Sequence, residues 1–77
     1  MTLKLLDTVV LVRDLPSRGL RAGDLGAIVE MVGPDVLEVE FVTASGKTCA
    51  LVTLSPADVR QVADNDLVTV RPVAHSA

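Results

Sequence analysis

RDLPSRGLRAGDLGAIVEMV, Arg13–Val32, sets a turn-rich loop directly against a run of β-branched and aliphatic residues. Leu15-Pro16-Ser17-Arg18-Gly19 fits a type I turn, with proline preset for the second position and glycine free to take the left-handed conformation that follows. Leu25–Val32 reads as a strand, and Gly26 just inside its start predicts a bulge or a close approach of neighbouring backbone. With Glu30 facing solvent, a period of two turns Ala27, Val29 and Met31 inward and leaves Ile28 and Val32 outward. The stretch is the long first loop and second strand of a small β domain.

Upstream, Thr8–Arg13 forms the first strand. Its continuous apolar run, Val9 to Val12, belongs to a strand covered on both faces. Downstream, Gly33-Pro34-Asp35 turns the chain into Val36–Thr43, where Leu37, Val39 and Phe41 alternate with Glu38 and Glu40. Ala44–Lys47 has the chemistry of a tight hairpin, returning the chain as a fourth strand, Thr48–Leu54. Ser55, Pro56 and Asp58 then spell a capped helical turn over residues 55–58, ahead of a short fifth strand, Val59–Val62. After a polar turn at Asp64–Asp66, Leu67–Arg71 alternates as a sixth strand that Pro72 stops. The order predicts an all-β, Src-homology-3-like small barrel of five to six short strands, whose closure hides the edges an open sheet would expose. Residues 1–77 make one domain, with residues 5–71 in the barrel and residues 72–77 a flexible tail.

Composition narrows the function. At 77 residues the chain buries only a small core, and with Phe41 its only aromatic that core is built from Val, Leu, Ile and Met. A formal net charge of −3 argues against broad binding to nucleic acid or to an anionic membrane. The single Cys49 permits no internal disulfide and suits a reducing compartment, so the expected location is the cytoplasm. Asp7 interrupts the apolar N-terminus, no signal-peptide cleavage pattern follows, and no run reaches the length of a membrane helix.

Catalytic chemistry finds little purchase. His75 lies in the expected tail, Cys49 is expected as a buried small hydrophobe, and the carboxylates lack metal-ligand spacing. The reading is a protein that is not an enzyme and takes no cofactor, metal or small-molecule substrate. Without Trp or Tyr, an aromatic groove for proline-rich peptides and a stacking platform for single strands are both set aside. Arg13, Arg18 and Arg21 cluster near Asp14 and Asp24. They either read a phosphate or a partner's carboxylate, or are neutralised by those aspartates. Glu38 and Glu40, with Glu30, make either an acidic stripe for a basic partner or a solvated face. The aliphatic surplus is the positive sign: Val9 or Val10, Ile28, Val32, Val36, Val42 and one face of Thr48–Leu54 exceed what one small barrel holds, unless loops and the last strand cover them.

Leu5–Val62 also resembles a widespread bacterial family of short proteins known only as a domain of unknown function. The resemblance rests on a D-T-V strand at Asp7–Val9, D-L-P at Asp14–Pro16, G-L-x-x-G-D-x-G at Gly19–Gly26, and E-V-E-F at Glu38–Phe41 followed by a hairpin. It implies the barrel and no activity, and Asp64–Ala77 departs from its pattern. A looser similarity, carried by Gly23–Val29, is to the KOW-type barrels of ribosomal and transcription proteins. The expectation is a non-catalytic protein-interaction module that self-associates or binds a protein partner, for example by neutralising a small toxin-like protein. Its contact residues would be Arg13, Arg18, Arg21, Ile28, Val32, Glu38 and Glu40. The alternative is a KOW-like nucleic-acid- or ribosome-associated barrel using Arg13, Arg18, Arg21 and Lys47.

Overall fold

A computed structural model describes residues 2–73. Five strands, β1 (Thr8–Leu11), β2 (Leu25–Val32), β3 (Val36–Val42), β4 (Thr48–Leu54) and β5 (Val59–Gln61), form one antiparallel sheet in the order β4-β3-β2-β1-β5. Single turns of 3-10 helix precede β2, at Pro16–Arg18, and β5, at Pro56–Asp58. The all-β expectation holds, with β2 and β4 on their predicted bounds.

The hydrogen-bonded ring is not closed: among the described residues no ladder joins β4 to β5, the two ends of the sheet order. Apolar packing does what the missing ladder does not. Ala50, Val52 and Leu54 from one end of the sheet and Val59 from the other share a single buried cluster with Val9, Leu11, Ile28, Leu37, Val39 and Phe41. The sheet therefore curls around its core, in keeping with the twist that short strands favour.

The predicted inward face of β3 is the observed one: Leu37, Val39 and Phe41 are buried. On β2 the predicted face is wrong for Ala27, Ile28 and Val29, whereas Glu30 and Val32 are exposed as expected. Ile28 pairs with Val39 and Glu30 pairs with Glu38, so Val29 is an extra residue opposite nothing. That bulge shifts the alternation by one: Gly26 and Ile28 face the core before it, and Glu30 still reaches solvent after it. Gly26 itself sits in regular pairing with Val9, so its role is close approach. A Cβ there would lie 2.7 Å from Val39 Cγ1, 2.9 Å from Phe41 Cε2 and 3.0 Å from the Glu40 carbonyl oxygen.

The long loop is part of the core. Leu15 and Leu20 exchange backbone hydrogen bonds, 2.9 and 3.2 Å, across the Pro16–Arg18 turn, and both leucines are buried in the main cluster. Gly19 closes this small hairpin with φ of 70°, the left-handed conformation anticipated for it. β1 is buried along Val9, Val10 and Leu11, and Val10 lies outside the main cluster, which accounts for an apolar run with no polar face.

The sixth strand is not formed. Leu67–Arg71 forms no regular element and does not join the sheet, and among the described residues the backbone of residues 67–73 makes no hydrogen bond to other backbone. Alternation alone does not make a strand; a partner edge must lie within reach of its N–H and C=O groups. Of the predicted tail, residues 72 and 73 are described, whereas His75 and the rest of residues 74–77 lie outside the described residues.

Candidate functional site: an arginine-lined cavity

The first loop and the C-terminal segment meet beside the β3–β4 hairpin, where ion pairs decide the arrangement. Arg71 donates from Nε to Asp24 Oδ1 at 2.8 Å and from Nη2 to Asp24 Oδ2 at 2.6 Å, and Nη2 also reaches the Gly19 carbonyl at 3.0 Å. Asp24 additionally accepts the Arg21 backbone N–H at 2.8 Å. The Arg71 guanidinium, more than the partial burial that opposes it, holds the Asp24 carboxyl below the usual carboxylate range.

Upstream on the same segment, Asp66 takes both Arg60 Nη1 and Nη2 at 2.8 Å and the Ala63 N–H at 2.7 Å. The fork of Arg60, helped by that backbone donor, holds Asp66 at about 2. Residues 66 and 71 are thus pinned, while Leu67, Val68 and Val70 between them are 91%, 71% and 96% exposed.

The expected neutralisation of the loop arginines by Asp14 and Asp24 does not occur in that form. Arg13 pairs with Asp58, Nε to Oδ1 at 2.7 Å, bracing the end of β1 against the turn before β5. Asp58 also accepts the Ser55 N–H at 2.9 Å, and these two donors, Arg13 first, keep its carboxyl low. Asp14 accepts the Ala22 N–H at 2.9 Å, a loop brace. Arg18 donates from Nη2 to the Leu51 carbonyl at 2.9 Å and so ties the loop to β4. Arg21 is exposed, and its guanidinium makes no hydrogen bond among the described residues.

Arg18, Arg21 and Arg71 therefore line one open cavity of about 680 Å³, together with Asp14 and Cys49. Arg18 and Arg21 belong to the cluster anticipated with Arg13. Arg71 was not anticipated, because nothing in the local sequence links it to Asp24, 47 positions away. Arg13 stands apart on its own partner.

The remaining candidates divide. Ile28 is fully buried and cannot touch a partner; the bulge at Val29 is the reason. Val32 is 53% exposed at the β2–β3 turn. Glu38 and Glu40 are half-buried on the outer face, where they accept hydrogen bonds from Thr53 Oγ1 at 2.5 Å and Thr48 Oγ1 at 2.6 Å. Glu30 lies directly opposite Glu38, so the acidic stripe exists as a cross-strand pair of like charges. Cys49 is exposed, contrary to expectation: Ala50, Val52 and Leu54 take the core side of β4, and a register shift next to Val42 leaves Cys49 unpaired. Among the described residues no group of three or more His, Cys, Asp or Glu side chains could hold a metal ion. Among the described residues no helix is long and apolar enough to cross a membrane.

The fold and its loop define a small curled β domain with a cationic cavity on an acidic chain. The chain belongs to the family described as Domain of unknown function (DUF4926), whose model matches residues 5–61. That match spans β1 to β5 and stops short of the segment that supplies Asp66 and Arg71. Neither a curated protein nor a solved structure matches the chain.

Proposed function

We propose that the protein is a non-catalytic protein-interaction module of the bacterial cytoplasm, with a Src-homology-3-like layout, that self-associates or holds a protein partner through its C-terminal segment. The observation that carries this reading is the exposure of Leu67, Val68 and Val70 on a segment anchored at both ends by ion pairs. An exposed aliphatic run whose backbone groups are unpaired among the described residues is suited to adding a strand to another sheet edge, and anchoring reduces the entropy lost on docking. Neutralising a small toxin-like protein is one concrete form of this role. The nucleic-acid alternative is disfavoured by the net charge of −3 and by the loss of Arg13 to Asp58, which leaves Arg18 and Arg21 of the first-loop arginines without a carboxylate partner. Aromatic stacking has no residue to use beyond Phe41, which is buried.

Light scattering joined to affinity capture tests the proposal, comparing the natural chain with the double variant Leu67→Ser, Val70→Ser. The expected result is a dimer or a stoichiometric protein partner that the variant loses. A natural chain that stays monomeric and recovers the same proteins as the variant would overturn the reading.

A further inference from the structure

Seven lysines and arginines serve a chain of net charge −3, and three of the arginines, Arg18, Arg21 and Arg71, line the same cavity. They come from two places, the first loop and the C-terminal segment, so only folding assembles them. Two are held in position: Arg18 by its bond to the Leu51 carbonyl, Arg71 by Asp24 and the Gly19 carbonyl. Neither bond set uses all the donors of a guanidinium, which carries five N–H groups in a planar fork. Arg21 has its whole fork free of hydrogen bonds among the described residues. Against these three positive charges stand two carboxylates, Asp24, which is paired with Arg71, and Asp14, which lies on the cavity wall bound to the Ala22 N–H. One positive charge and several oriented N–H donors remain.

We propose that this cavity is a binding site for an oxyanion, a carboxylate or phosphate group seated between the Arg21 fork and the unused donors of Arg18 and Arg71. Arginine suits both anions because its parallel N–H groups match two oxygens of either. The Asp24 carboxylate, bonded to Arg71, offsets part of the repulsion among the three guanidinium groups before the ligand arrives. The site uses the guanidinium groups of Arg18, Arg21 and Arg71 and not the aliphatic side chains of Leu67–Val70, although Arg71 also anchors that segment. Cys49, the chain's one cysteine, lies on the cavity wall and is exposed, which makes it a built-in reporter.

The test titrates the full chain, at constant ionic strength, with inorganic phosphate in one arm, citrate in a second and chloride in a third. Amide and arginine side-chain NMR shifts are followed together with the rate of Cys49 alkylation by a neutral maleimide. Expected are saturable shifts centred on Arg18, Arg21 and Arg71, and slowed alkylation, with phosphate, citrate or both but not chloride. Phosphate alone assigns a phosphoryl ligand; citrate alone assigns carboxylates. Arg21→Gln should weaken the response about tenfold, as expected for losing a charge-assisted fork, while Arg13→Gln, outside the cavity, leaves it unchanged. Because the Arg21 guanidinium makes no hydrogen bond among the described residues and the backbone bond to Asp24 is kept, its variant should stay folded. Absence of saturation in both oxyanion arms, or equal weakening by the two variants, would overturn the proposal.

Discussion

The first loop and the C-terminal segment are both irregular, both carry aliphatic side chains, and are joined to each other through Asp24 and Arg71. They spend those aliphatics differently. The loop turns Leu15 and Leu20 into the core, whereas residues 67–73 leave Leu67, Val68 and Val70 in solvent and attach through charge. One region is held by hydrophobic burial, which salt and pH scarcely touch; the other is held by ion pairs, which both weaken. The contrast separates scaffold from contact surface within a chain of 77 residues.

The sharpest way to break that division is Leu20→Ala. It empties a buried site in the loop and should lower unfolding free energy by about 3 kcal/mol in urea titrations, far more than any change in the C-terminal segment. A loss under about 1 kcal/mol would mean that the loop rests on the core without filling it.

Acid should act on the opposite region. Asp24 and Asp66 both have folded-state pKa values depressed below the ordinary aspartate value, Asp66 to about 2. Their contribution is therefore present above the ordinary aspartate value and is lost as pH falls through the depressed folded-state values, about 2 for Asp66, when the carboxylates protonate and Arg71 and Arg60 lose their partners. Amide NMR signals of residues 66–71 should move in that window before the strands unfold. Simultaneous loss of both sets would tie the segment to the sheet more tightly than its ion pairs allow.

The smallest effect is expected for Leu67→Ser with Val70→Ser. Their side chains bury almost nothing in the isolated chain, so thermal or urea stability should change by less than about 0.5 kcal/mol. A clear stability loss in dilute solution would show that a second copy already covers them.

How far the fold could be read beforehand follows the same division between local and distant causes. β3 and β4 were legible because proline, glycine and a polar hairpin mark their ends and a single uninterrupted period of two marks β3. The 3-10 turn at Pro56–Asp58 was legible from Ser55, Pro56 and Asp58, three adjacent residues whose bonding is local. Ile28 was misplaced because the bulge at Val29 arises from pairing with β3 and carries no residue of its own to announce it. Cys49 was misplaced because the inward face of β4 depends on the register against Phe41. Leu15 and Leu20 read as loop residues until the loop folded back over the sheet, and the cavity was half visible, its third arginine lying beyond any local pattern.

What the amino-acid sequence determines by itself is the all-β class, the turns, and most strand bounds, because φ preferences and alternation act between neighbours. Which leucines become core, which arginines find carboxylates, and whether Leu67–Arg71 joins the sheet were decided only in the tertiary structure. Those outcomes depend on which edges and charges come within a few ångströms across tens of residues, and a period of two says nothing about that distance.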